Sequence, residues 1–128
     1  MGTIYHSSEL ITMPTSMPVY FNYDKFMTTL KNLKNIIPTK AGFGHFGVVN
    51  GKDNVRKLLI EHETFLIKFR EAVIKFYNEK PETRYVLEKI MPMLNSRTDL
   101  SIEDNSIFNG IALGIVYGMM MDLGYRDI

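Results

Sequence analysis

At 128 residues the chain is long enough for one domain and short for two, and an apolar fraction of 45% lets it bury a core without disulfides or a structural metal. With 15 Lys+Arg against 14 Asp+Glu the net charge is +1, which gives no basic field and speaks against nucleic acid as a partner. The absence of cysteine excludes thiolate zinc sites, iron–sulfur clusters and cysteine nucleophiles, and is compatible with a cytoplasmic location.

The opening stretch MGTIYHSSELITMP has neither the basic start nor the apolar run of a secretion signal. Residues 1–21 carry no helical period, and Pro14 and Pro18 sit in a Thr/Ser/Met-rich stretch, so an extended loop is expected there. A helix should begin at Asn22, whose side-chain oxygen suits an N-cap. Tyr23, Phe26, Met27, Leu30, Leu33 and Ile37 then fall on one face, and Pro38 ends the run. Lys40–Phe43 reads as a short strand, followed by the glycine-rich Gly42-Phe43-Gly44-His45-Phe46-Gly47 and then Val48-Val49-Asn50-Gly51.

The next helix is expected from about Asp53 as N-cap to about Asn78. Its apolar stripe is Val55, Leu58, Leu59, His62, Phe65, Leu66, Phe69, Val73, Phe76 and Tyr77. Pro81 suits the first turn of a third helix, and Pro92 should kink or shorten that helix. Ser101-Ile102-Glu103-Asp104 resembles a capping box for a last helix, which Gly124 can end in the left-handed conformation. The apolar stretch 107–121 contains Asn109 and three glycines and falls short of the ~20 residues a bilayer crossing needs, so a buried helix is expected and no membrane partner.

Several groupings could carry chemistry or binding. Gly110, Gly114 and Gly118 recur every fourth residue and make a flat helix face, fit for close packing within the chain or for a homodimer seam. The run Met119-Met120-Met121 suits either. His62 belongs with the helix stripe and is expected at the edge of the core with its nitrogens satisfied, while Glu61-His62-Glu63 reads as a solvated turn of helix. No Gly-x-Ser-x-Gly elbow and no phosphate loop occurs. Gly42-x-Gly44-x-x-Gly47 matches the dinucleotide fingerprint in letters only, since Val48-Val49-Asn50-Gly51 follows it directly and no second strand is expected to complete a βαβ unit. His45, between glycines after a strand, is placed to project toward a metal or substrate. One imidazole is too few, because a catalytic zinc needs about three protein ligands.

Pro18-Val19-Tyr20-Phe21-Asn22-Tyr23-Asp24-Lys25-Phe26, then Thr29-Leu30-Lys31-Asn32-Leu33, then Gly44-His45-Phe46-Gly47, resemble the C-terminal part of metallo-β-lactamase-fold hydrolases. The resemblance covers roughly residues 3–51. The periodicity of residues 52–128 predicts a helical C-terminal region with a three-helix bundle, so a mostly α chain, an α+β fragment, is expected, and the resemblance implies that residues 1–51 are the last helix and short strand of an αββα sandwich. It also implies that His45 is a metal ligand in a complete parent enzyme, for zinc or another divalent metal, and that Tyr5, His6 and Tyr20 lie near a substrate entrance. The family's His-x-His-x-Asp-His signature does not occur in this sequence. The expectation is therefore a chain with no catalytic residues of its own, no tightly bound metal and no small-molecule substrate outside a complete parent. The competing expectation is a non-enzymatic helical interaction module, homo-oligomeric through the Gly110 face.

Overall fold

The structure, a computed structural model, describes residues 2–6, 9–13, 16–18, 20–43, 47–97 and 106–127. Helices dominate these residues, and one of them organises the rest. α2 (Lys52–Glu79) has 28 residues, about 42 Å of helix. α1 (Tyr23–Ile36), α3 (Thr83–Asn95) and α4 (Ser106–Asp122) all pack against it.

Asn22 caps α1 as its side-chain chemistry dictates, its Oδ1 accepting from the Lys25 N–H at 2.9 Å. The far end of α1 is less ordinary. Ile37 takes the left-handed conformation at φ 36° while its N–H donates to the Leu33 carbonyl at 3.0 Å. Pro38 denies the preceding residue the right-handed helical region, and this turn satisfies the helix carbonyl instead. A β-branched residue is strained there by about 1–2 kcal/mol. Ile37→Gly is accordingly expected to raise stability by about 0.5–1 kcal/mol, once the entropy that glycine adds to the unfolded chain is deducted. The check is the urea midpoint, and a lower midpoint would mean that packing of the half-buried isoleucine outweighs the strain.

α2 opens two residues earlier than expected. Gly51, at φ 93°, is its N-cap, and Asp53 lies inside the first turn, where its charge favours the helix dipole. Pro81 is not in the first turn of α3. It sits in the link between Lys80, which is extended, and Glu82, which precedes the helix. The residue before a proline avoids the helical region, so α2 stops at Glu79 and α3 starts only at Thr83. Pro92 lies inside α3 on its exposed side, and the helix continues one turn beyond it, with the Ser96 N–H donating to the Pro92 carbonyl at 3.0 Å. The capping sequence 101–104 lies outside the described residues. α4 does end as expected. The Gly124 N–H donates to Met121 and the Tyr125 N–H to Met120, with Gly124 at φ 77°. Tyr125 then stacks on Tyr77 with ring centroids 3.9 Å apart, fastening the chain to the far end of α2.

Two antiparallel pairs accompany the helices. The N-terminal stretch is not an unstructured loop: β1 (Gly2–His6) pairs with β2 (Glu9–Met13), His6 opposite Glu9 and Gly2 opposite Met13. The β-branched Thr3, Ile4, Ile11 and Thr12 favour this over a bare loop. β3 (Lys40–Phe43) forms where expected. A second strand does follow it, β4 (Gly47–Asn50), with Phe43 opposite Gly47. The pairing is antiparallel, the opposite of the parallel unit a dinucleotide fingerprint requires.

The interior has two parts along α2. The larger joins Phe65, Leu66, Phe69 and Val73 to Val86, Ile90 and Leu94 of α3 and to Ala112, Ile115, Val116, Met119 and Met120 of α4. The smaller buries Leu30 of α1 and Val49 of β4 against Val55, Leu58 and Leu59. In this smaller part Leu30 and Val49, before residue 51, pack against the first turns of α2, after it. No described helix is long and apolar enough to cross a membrane.

Candidate functional site

The middle of α2 is where ionisable groups converge. His62 follows Leu58 and Leu59 and precedes Phe65 and Leu66 at helical spacing, so the helix turns it inward with them. It is not at the core's edge: its exposure is 0%, and the Phe26 ring lies 5.4 Å away at 54°. Burial, reinforced by nearby positive charge that includes Arg97, pushes its pKa down to about 3. The imidazole is therefore neutral at physiological pH. A base that weak is poorly matched to proton transfer near neutrality.

The residues on either side are not a solvated turn. Glu61 accepts from the Arg97 guanidinium, which closes the end of α3 onto α2. The same guanidinium lies over the Phe65 ring, 3.6 Å from its centroid, a cation–π contact. Glu63 pairs with Lys34 of α1 at 2.5 Å. Residues two apart on a helix point to different sides, so the two glutamates grip α3 and α1 separately while His62 faces between them. Arg70 lies over the Tyr23 ring at 4.7 Å, a further tie between α2 and α1.

The candidate residues read from sequence fall on different parts of the chain. His45 falls between Phe43 and Gly47, outside the described residues. Tyr5 and His6 lie on β1, in register with Leu10 and Glu9, and not on a loop. Tyr20 is 95% exposed just before α1. Among the described residues no group of three or more His, Asp or Glu side chains is gathered closely enough to hold a metal ion.

The glycine face of α4 does meet the chain, though its partner is not another helix. Ser16 is buried, and its Oγ donates to the Ile115 carbonyl at 2.6 Å. A Cβ at Gly118 would stand 1.8 Å from the Ser16 carbonyl oxygen, and one at Gly114 would stand 2.6 Å from Cε of Met17. Gly110 is open, with nothing within 4 Å of a Cβ placed there. Sequence reasoning missed this seat and the Glu61–Arg97 and Lys34–Glu63 pairs. Each joins residues far apart in the chain, and no local pattern marks them. Comparison with known protein families, with characterised proteins and with solved structures finds no match for this chain.

Proposed function

We propose that this chain is the C-terminal segment of a metallo-β-lactamase-superfamily, metal-dependent hydrolase and is not catalytically competent alone. The observation that carries the reading is an order of elements. α1 ends before Pro38, the four-residue strand β3 ends at Phe43, the glycine-bounded His45 follows, and the chain returns through β4 into the long α2. That is the helix, strand and Gly-His-Phe-Gly succession the sequence resemblance implies. In a complete parent β3 and β4 belong to an αββα sandwich, and His45 supplies one ligand of a zinc or other divalent metal site whose remaining ligands lie outside this sequence.

Two measurements test it. The coding DNA upstream of Met1 is expected to contain an in-frame stretch encoding His-x-His-x-Asp-His, and a genuine stop and start at Met1 with no such stretch removes the reading. The isolated chain is expected to bind zinc no more tightly than its His45→Ala variant, to within a few-fold, because one imidazole cannot anchor the ion. Stoichiometric tight zinc, lost in that variant, would show a complete site and overturn the proposal.

A second reading, a non-enzymatic helical module that dimerises, is favoured by the open side of α4. Gly110 is unobstructed and Ile111 is 41% exposed. A dimer in sedimentation that Gly110→Leu converts to monomer, together with the upstream stop codon, supports this alternative.

A further inference from the structure

Residues 16–18 are strapped against α4 by three contacts of different kinds. Ser16 is tied by its hydroxyl to the Ile115 carbonyl at 2.6 Å. Its backbone is pressed so close to Gly118 that a Cβ there would lie 1.8 Å from its oxygen and 2.5 Å from its carbonyl carbon. Met17 then lays its thioether over Gly114, Cε and Sδ standing 2.6 and 2.9 Å from the place of a Cβ. Met119 and Met120 are fully buried, and Met27, Met91, Met93 and Met121 are half-buried. Among methionines with described side chains, Met17 alone is exposed, at 43%.

We propose that Met17 is an oxidation-sensitive latch, whose conversion to the sulfoxide by a peroxide loosens residues 16–18 from α4. The step is a two-electron oxidation. A sulfur lone pair attacks one oxygen of hydrogen peroxide, the S–O bond forms, the O–O bond breaks, and the second oxygen takes up the proton of the transferred oxygen and leaves as water. Sulfur is oxidised and the peroxide reduced. The thioether suits its present seat because it is apolar and soft and lies where a side chain at Gly114 of α4 would otherwise stand. The sulfoxide is polar and holds water. The strap has no slack to accommodate both, since Ser16 already touches the helix backbone at Gly118. Hydrating the new oxygen therefore works against the contact at Gly114.

The test uses the full chain. After mild hydrogen peroxide treatment, peptide mass spectrometry is expected to find the added oxygen on Met17 before Met119 or Met120. Amide hydrogen exchange around residues 16–18 is expected to quicken by about tenfold while α2 and α3 keep their protection. Reduction by methionine sulfoxide reductases should restore slow exchange. Met17→Leu keeps apolar bulk and should exchange slowly with or without peroxide. Oxidation of Met17 no faster than of the buried pair would overturn the proposal. So would unchanged exchange in the oxidised wild-type chain, or equal loosening of Met17→Leu by peroxide.

Discussion

Gly118→Ala is expected to destabilise the protein by about 1–3 kcal/mol, while Gly110→Ala, about two turns earlier on the same helix, is expected to add up to about 1 kcal/mol. Both changes give the helix the same gain in intrinsic propensity, so the difference isolates what each methyl meets. At 118 it meets backbone, with Ser16 O at 1.8 Å, Ser16 C at 2.5 Å and Met17 C at 2.8 Å, and none of these can swing aside. At 110 it meets nothing within 4 Å. Gly114→Ala should fall between, near zero, because the obstacle there is the flexible end of Met17. Urea midpoints followed by circular dichroism give the three values. If all three changes share one sign and size, the strap does not rest on α4 as described.

Acidification should produce the other large effect. His62 has a folded pKa near 3 against 6.5 for the free side chain, because burial disfavours its charged form. Above pH 6.5 the imidazole is neutral in both states and the full stability is present. Between 6.5 and about 3 the unfolded chain binds a proton that the folded chain refuses, so stability falls with pH by up to about 1.4 kcal/mol per unit. Below about 3 both forms are protonated and this slope ends. The accumulated loss, up to about 5 kcal/mol, is a large part of a typical domain's 5–15 kcal/mol. His62→Gln does not titrate and should flatten that part of the curve. Parallel stability–pH curves for the two proteins would mean that His62 is not kept neutral by burial.

Local signals account for the features that sequence reading placed well. The side chain of Asn22 and the ring of Pro38 bound α1 through chemistry confined to a few residues. The α2 stripe repeats over eight buried positions from Val55 to Val73, a signal long enough to survive noise. Gly124 announced the end of α4 because the left-handed turn there favours a residue without a Cβ. The N-terminal hairpin was missed because Ser7-Ser8 is not a strong turn signal, and Pro14 and Pro18 weighed toward a loop. Pro81 was misplaced by one preference, the first helical turn, when another prevailed, its constraint on Lys80. His62 was placed too far out because stripe position alone does not distinguish a rim from a centre. That depends on Phe26 and Arg97, which come from other elements. The glycine stripe was legible as a close-packing face. Its occupant was not, because a buried serine in an extended segment carries no periodicity. His45 stands out through its glycine neighbours and the resemblance of Gly44-His45-Phe46-Gly47, and it lies outside the described residues.

The hydrogen bond from Ser16 to Ile115 spans 99 positions of sequence, and this has a bearing on biosynthesis. A ribosome adding roughly 10 residues per second needs about ten seconds to travel that distance. During that interval α1 and the first half of α2 already have each other as partners, through Leu30 and Val55, whereas the stretch around Ser16 has no seat. Residues 16–18 are thus among the last to settle, although β1 and β2 before them already have each other and α2, and a nascent chain halted before α4 emerges would hold these three residues undocked.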